Sequence, residues 1–230
     1  MKATAILTAA GSGSRFYRTA SSNKQLPKQF LKLKGKPVIL YSLLAFQKSA
    51  LVQEILVSAD SVYFDLIHRI AFKNKITKLT MLVEGGKSRF ESVRNAFRQI
   101  QGKPNNLVLI HDAARPNINV KTIGKLVNSA VKYDEVIPGV RISETVKRER
   151  KGVITETIDR SNLWTVQTPQ VFRYKVLKKA YGKAGRKNNF TDEAALVENA
   201  GFKVRIIEGS RDNIKITAPE DLKLLKKLMS

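Results

Sequence analysis

The stretch Thr8-Ala9-Ala10-Gly11-Ser12-Gly13-Ser14-Arg15, followed by Leu26-Pro27-Lys28-Gln29, comes directly after the apolar run Ala3 to Leu7. An apolar run of this length reads as a strand buried on both faces of a parallel sheet. Small residues and two glycines then let the backbone approach something bulky. Exposed N–H groups in such a turn form a concave anion site, and Arg15 and Lys28 add a planar fork and a point charge. The stretch therefore reads as a triphosphate cradle. It is not a P-loop, which needs Gly-Lys-Ser/Thr after four intervening residues. Nor is it a dinucleotide fingerprint, because Phe16 stands where a third small residue is required. What remains is G-x-G-x-R, then P-K-Q after a polar loop.

Working outward, strand-like and helix-like runs alternate. The predicted strands are Ala3–Ala9, Glu54–Ser58, Leu79–Val83 and Leu107–His111; the predicted helices are Val38–Lys48, Asp60–Phe72, Arg89–Ile100 and Lys121–Lys132. Gly35-Lys36-Pro37 announces the first helix. Such alternation predicts right-handed crossovers and an α/β fold: a Rossmann-like, mostly parallel sheet with helices on both faces. Ligands of open parallel sheets bind at the carboxyl ends of the strands, where the glycine loop, Gly85-Gly86 and Asp112 all fall. After Asp134 the pattern changes. Residues 141–160 read as a polar hairpin about Lys151-Gly152, an arm too thin for a core of its own and predicted to pack on a partner subunit. Helices resume at Lys175–Lys183 and at Thr191–Ala200, with Thr191 as N-cap and Gly201 as terminator. A strand at Lys203–Ile207 leads through a strand-like Asn213-Ile214-Lys215-Ile216 to a last helix, opened by a capping box at Thr217-Ala218-Pro219-Glu220. One domain over residues 1–230, with a dimerisation arm at 141–160, is expected.

Composition sets limits. The 230 residues are 43% hydrophobic, enough for a real core. With no cysteine there is neither a disulfide framework nor a thiolate metal site. The longest apolar run, Val38 to Phe46, is broken by Ser42 and falls far short of the ~18 residues of a spanning helix. No targeting signal stands out, so a cytoplasmic protein is expected. The formal charge of +23 comes from 42 Lys and Arg against 19 Asp and Glu. The cations are dispersed and form neither an arm nor an aromatic-interleaved patch. They favour attraction of a polyanionic small substrate over nucleic-acid binding.

Further motifs carry chemistry. Asp112 of His111-Asp112-Ala113-Ala114-Arg115-Pro116 follows a strand beside the cradle and suits Mg²⁺ held by one carboxylate plus phosphate oxygens. His111 reads as structural. The amides of Gly85-Gly86 and the Ser92 hydroxyl suit a pyrimidine edge. Arg160 and Thr145 at the base of the arm suit a phosphate, and Lys215 is a second phosphate lysine or a surface cation.

Taken in order, A-A-G-x-G-x-R, P-K-Q, G-G-x-x-R-x-x-S-V, H-D-A-A-R-P, D-R-x-x-L-W, T-P-Q, T-D-E-A and N-I-K-x-T-x-P-E-D-L resemble the 2-C-methyl-D-erythritol 4-phosphate cytidylyltransferase family over nearly the whole chain. The resemblance implies transfer of CMP from CTP to methylerythritol phosphate with Mg²⁺, on the non-mevalonate route to isoprenoid precursors. It implies that Arg15, Lys28 and Lys215 are catalytic, and that Asp112 holds the metal. Ala9, Ala10, Gly11, Gly13, Gly86, Ser92 and Ala113 would then line the CTP site. Arg115 and Thr168 would contact the acceptor, joined by Thr145 and by the catalytic Arg160 from a partner's arm, in an intertwined homodimer. The polar segment from Phe16 to Leu26 is long for this family and is expected to loop out as a lid. A cytidylyltransferase for another polyol phosphate, such as ribitol 5-phosphate, would share the cradle. A nucleic-acid binder that kept the fold would have no need of Arg15, Lys28, Asp112 and Lys215.

Overall fold

The computed structural model describes residues 2–11, 13, 16–17, 26–103, 106–185 and 190–229. Its first half is a run of strand–helix units: β1 (Ala3–Thr8), a small ribbon of β2 (Lys32–Leu33) and β3 (Lys36–Pro37), then α1 (Val38–Lys48), β4 (Val52–Ala59), α2 (Phe64–Lys73), β5 (Leu79–Glu84), α3 (Arg89–Gln99), β6 (Leu107–Asp112) and α4 (Val120–Tyr133). The second half holds β7 (Val136–Arg141), β8 (Val146–Arg150), β9 (Val153–Ile158), β10 (Trp164–Val166), β11 (Gln170–Arg173), α5 (Tyr174–Ala184), α6 (Glu193–Asn199), β12 (Arg205–Glu208) and α7 (Pro219–Leu228).

Eight strands form one sheet in the order β10-β7-β11-β6-β1-β4-β5, with β12 on β7. The period-2 alternation of side chains divides the core. Ala3, Ala5 and Leu7 of β1 pack with α1, α2 and α4 on one face, while Ile6 packs with α3, α5 and α6 on the other. Both faces are covered, as the continuous apolar strands require. From β1 the chain builds β4 and β5 on one side, then crosses back to lay β6 against the opposite edge of β1. That reversal opens a crevice at the carboxyl ends of β1 and β6.

β10 and β11 run antiparallel to their neighbours, and the residues between them, Gln167 to Pro169, pass close to the end of β6. β10 and β11 are too short to stand out in the sequence, and β7 is hidden by its Pro138-Gly139. Gly139 makes room there: a Cβ would lie 2.6 Å from Ile206 Cδ1 of β12, whose side chain would have to turn aside. The predicted hairpin forms as a separate two-stranded sheet of β8 and β9, turning on Lys151 and Gly152, both with positive φ. Nearly all of it is exposed, including Val153 (66%) and Ile154 (62%).

Local corrections concern caps and one strand. The helix predicted over Asp60–Phe72 begins as a 3-10 turn, Ser61–Tyr63, because the Asp60 side chain accepts from Val62 N–H at 3.1 Å. Asp192, not Thr191, caps α6, accepting from Ala195 N–H at 3.0 Å. Ala218 is the N-cap of α7, and Asp221 accepts from the N–H groups of Thr217 and Ala218 at 2.7 Å each. Asn213 to Ile216 joins no strand; it is tied down by Ile216 N–H donating to Ala114 C=O at 2.9 Å. Of the predicted lid, residues 18–25 lie outside the described residues. Phe16 before them is buried in a small core with Leu33, Val38, Ile216 and Leu225.

Candidate active site

At the carboxyl ends of β1, β5 and β6 lies a cleft of about 420 Å³. Its walls come from three loops. The β1 loop brings Ala9, Ala10, Gly11 and Gly13, and Gly11 faces open space. The β5 loop packs against it so closely that a Cβ on Gly85 would lie 2.4 Å from that of Ala10. The turn into α3 is held from within. Ser88 accepts from Glu91 N–H at 3.1 Å, and the Ser92 hydroxyl accepts from Gly86 N–H at 3.0 Å and donates to Ser88 C=O at 2.8 Å. The third wall is the end of β6, with Asp112 at its foot.

Asp112 is the electrostatic centre. Its Oδ1 accepts from Arg89 Nε at 3.0 Å and Thr8 Oγ1 at 3.1 Å, and its Oδ2 from Lys215 Nζ at 2.6 Å. Arg115 Nε stands 3.9 Å from Oδ2. Burial alone would raise the Asp112 carboxyl, but Arg89, Lys215 and Arg115 outweigh it and hold the group far below the usual carboxylate range. Two buried carboxylates, Asp112 and Glu193, stand among Arg89, Arg115 and Lys215, with Lys28 also lining the cleft, which leaves it net positive and suited to a polyphosphate. Arg89 is itself anchored by Glu193 of α6, Nη1 to Oε2 at 2.8 Å. Burial pushes Glu193 upward even against that partner, while the two carboxylates keep the Arg89 guanidinium firmly charged. Lys28 reaches the same cleft, and its Nζ donates to Ile216 C=O at 2.5 Å.

Behind Asp112 the H-D-A-A-R-P, T-P-Q and N-I-K segments are tied into one network. His111 Nε2 lies 3.2 Å from Arg115 C=O, so it carries the proton and donates. Nδ1 therefore accepts from the Thr168 hydroxyl at 3.0 Å, while Thr168 Oγ1 accepts from Asp112 N–H at 3.1 Å. Asn213 Nδ2 donates to Thr168 C=O at 2.9 Å, and Arg115 Nη1 to Asn213 C=O at 2.7 Å.

This network makes a pH prediction. Burial lowers the His111 pKa to about 4, against about 6.5 in an unfolded chain. Between those values the unfolded state binds more protons, so this contribution is present above pH 6.5 and is lost as pH falls to about 4. Glu135, raised to about 7 chiefly by burial, gives the opposite slope in the same region, so a difference between proteins is the proper readout. The stability gap between wild type and His111→Gln, measured by urea unfolding, is expected to narrow by roughly 2–3 kcal/mol from pH 7 to 4.5. A gap that ignores pH would contradict a buried neutral His111.

Of the residues singled out in the sequence, Ala9, Ala10, Gly11, Gly13, Lys28, Gly86, Ser92, Asp112 and Lys215 line the cleft together. Ala113 does not: it is fully buried in the core, and Ala114 takes the place at the cleft wall. Thr168 is buried with its hydroxyl committed to His111 and Asp112, which makes it a support for Asp112 where a direct acceptor contact was expected. Arg115 is likewise committed behind the wall. Thr145 and Arg160 are exposed at the base of the arm, away from the cleft of their own chain, and Arg160 donates to Ser143 C=O. Arg15 lies outside the described residues. Sequence reasoning missed Arg89, Glu193 and Gln29. All three sit inside recognised motifs, but their partners lie 18 to 104 positions away along the chain.

A family model described as IspD, 2-C-methyl-D-erythritol 4-phosphate cytidylyltransferase, matches residues 3–230. A relative of that name from Geobacillus kaustophilus is 39% identical over 219 residues, 95% of this chain and 92% of its own. One from Clostridium acetobutylicum is 40% identical over 221 residues, covering 95% and 93%. Among solved structures, the Francisella tularensis 2-C-methyl-D-erythritol 4-phosphate cytidylyltransferase is similar with a TM-score of 0.79 at 31% identity, covering 99% of both chains. The Thermus thermophilus structure of the same name gives 0.79 at 27% identity, covering 99% of this chain and 98% of its own.

Proposed function

The chain belongs to the 2-C-methyl-D-erythritol 4-phosphate cytidylyltransferase family, and from that premise we propose how its cleft transfers CMP from CTP to methylerythritol 4-phosphate. It is a nucleotidyltransferase of isoprenoid precursor synthesis. The observation that carries the assignment of the site is the meeting of Lys28, Asp112 and Lys215 in one cleft under the glycine loop.

CTP lies with its base toward Gly86 and Ser92 and its triphosphate along the β1 loop. The acceptor's phosphate oxygen attacks the α-phosphorus in line. A P–O bond forms, and the bond to the bridging oxygen breaks with its electron pair leaving on pyrophosphate. The nucleophile is already anionic, so the chain supplies positioning and charge neutralisation in place of a general base. Lys28 and Lys215 neutralise charge that grows on the equatorial oxygens, and Arg15 joins them by its place in the motif. Arg89 holds Asp112 in place from α3, and Thr168 and His111 hold its backbone from below.

Among the described residues no cluster of three or more His, Cys, Asp or Glu could hold a metal alone. A Mg²⁺ ion in a nucleotide site takes one or two carboxylates plus phosphate oxygens and water; the single Asp112 carboxylate meets that count, and the ion would take the place that Lys215 Nζ holds on Oδ2. Asp112 is the residue that would hold it, and the ion when bound would neutralise phosphate charge. The arm of β8 and β9 completes the site from a second copy: a two-stranded hairpin is marginal alone, and the exposed Val153 and Ile154, adjacent on β9 and so on opposite faces, leave apolar surface on each side for a partner to cover. Arg160 and Thr145 at its base then grip the acceptor phosphate of the partner's cleft. No described helix is long and apolar enough to cross a membrane. The direct test is pyrophosphate release that requires CTP and methylerythritol 4-phosphate together.

A further inference from the structure

With the cleft read as the CTP site, we infer that Gln29 is a positioning residue that sets the β1 loop to receive the triphosphate. The observation is a double donation. Gln29 Nε2 donates to Ala9 C=O at 2.5 Å and to Gly11 C=O at 3.1 Å, from a side chain only 3% exposed. A side-chain amide nitrogen has two hydrogens, and both are used on this one loop.

The consequence follows from peptide geometry. In a planar trans peptide the N–H points opposite to the C=O. Holding the Ala9 carbonyl on Gln29 therefore turns the Ala10 N–H away from Gln29. Ala9, Ala10 and Gly11 all line the cleft, and an unheld carbonyl turned into it would repel phosphate oxygens. Gln29 binds the acceptor side of the loop and leaves the donor side for an anion. Among the described residues the other restraints on the loop are the close packing of Ala10 against Gly85 and one backbone bond at Ala9. Ala9 N–H donates to Ser58 C=O at 2.7 Å, and Gly11 has no neighbour within 4 Å of its Cβ position.

Gln29 is well placed to impose this. It lies in the 3-10 turn Lys28–Phe30, whose Phe30 is buried in the core and packs on Tyr63 with ring centroids 4.7 Å apart. The same turn carries Lys28 into the cleft. P-K-Q thus supplies a charge and, one residue on, the clamp for the loop that the charge faces. The two roles separate experimentally: Lys28 acts on turnover, Gln29 on the affinity for CTP.

The test compares wild type, Gln29→Glu and Gln29→Met by calorimetric titration with CTP and Mg²⁺, and by kcat and KM for both substrates. The Glu side chain keeps the shape but, ionised, has no hydrogen to donate to two carbonyls. At pH 8, CTP binding is expected to weaken at least tenfold in both variants, with the acceptor KM within twofold of wild type. As the pH is lowered to 5.5 the introduced carboxyl takes up a proton and donates again. The Gln29→Glu deficit relative to wild type is then expected to shrink, while that of Gln29→Met stays. A purely structural role would impair acceptor use along with CTP binding, so the discriminating readout is the pH-dependent rescue of CTP affinity with the acceptor KM unmoved. CTP affinity within twofold of wild type in both variants would overturn the inference, as would a Gln29→Glu deficit that ignores pH. If Gln29→Glu does not fold at pH 8, Gln29→Met carries the comparison through its CTP-against-acceptor split. Failure of the wild type to bind CTP would overturn the reading of the cleft itself, and the role of Gln29 with it.

Discussion

Lys28→Ala is expected to lower kcat by about 10²–10³-fold, the usual loss when one group that stabilises transition-state charge is removed. The fold should survive, because the Lys28 side chain lines the cleft and its neighbour Phe30, not Lys28, supplies the core packing. KM for the acceptor should change little. The physical reason is timing. In a net positive cleft the ground-state triphosphate is already held by several cations, so one missing lysine is tolerated in binding. The negative charge moving onto the equatorial oxygens in the transition state needs its cation within contact. Steady-state kinetics beside a thermal melt checks this. Near-normal turnover in a folded variant would remove Lys28 from the chemistry.

Arg160→Ala is expected to lose activity as well, chiefly through the acceptor, although Arg160 sits away from the cleft of its own chain. If arms are exchanged, mixing it with Lys28→Ala should restore activity. Random reassortment makes about half of the dimers mixed, and each mixed dimer has one intact site of two, so roughly a quarter of wild-type activity is expected. Differently tagged copies would prove that subunits mixed. No recovery despite proven mixing would mean that each chain completes its own site and that Arg160 has another role.

Much of the fold was legible because both signals it depends on are local. The unbroken apolar run of β1 and the helical period of α1, whose bounds Val38–Lys48 were read directly, come from burial alone. β7, β10 and β11 were not legible: β7 carries Pro138 and Gly139, turn residues by composition, and β10 and β11 are only three and four residues long, fixed by pairing with distant segments. The site divides in the same way. Gly11 and Asp112 announce themselves by type and place, at strand ends beside small residues, and Lys28 by its place in P-K-Q. Arg89 lay inside a quoted motif, yet its ion pair with Glu193 spans 104 residues and nothing local points to it. Thr168 and Arg115 were assigned to the acceptor from motif positions; the structure shows the Thr168 hydroxyl bonded to His111 and Asp112, and Arg115 Nη1 bonded to Asn213 C=O. A side chain's type shows which bonds it can make; which ones it does make depends on what the fold brings alongside.

Transfer of CMP from CTP to methylerythritol 4-phosphate in this cleft is the activity on which every residue role above depends. Pyrophosphate release tests it most directly, measured with CTP and Mg²⁺ and with methylerythritol 4-phosphate, ribitol 5-phosphate or no acceptor. Release with the methylerythritol substrate alone is expected. Release with ribitol 5-phosphate in its place, or none from folded protein with any acceptor, would contradict it.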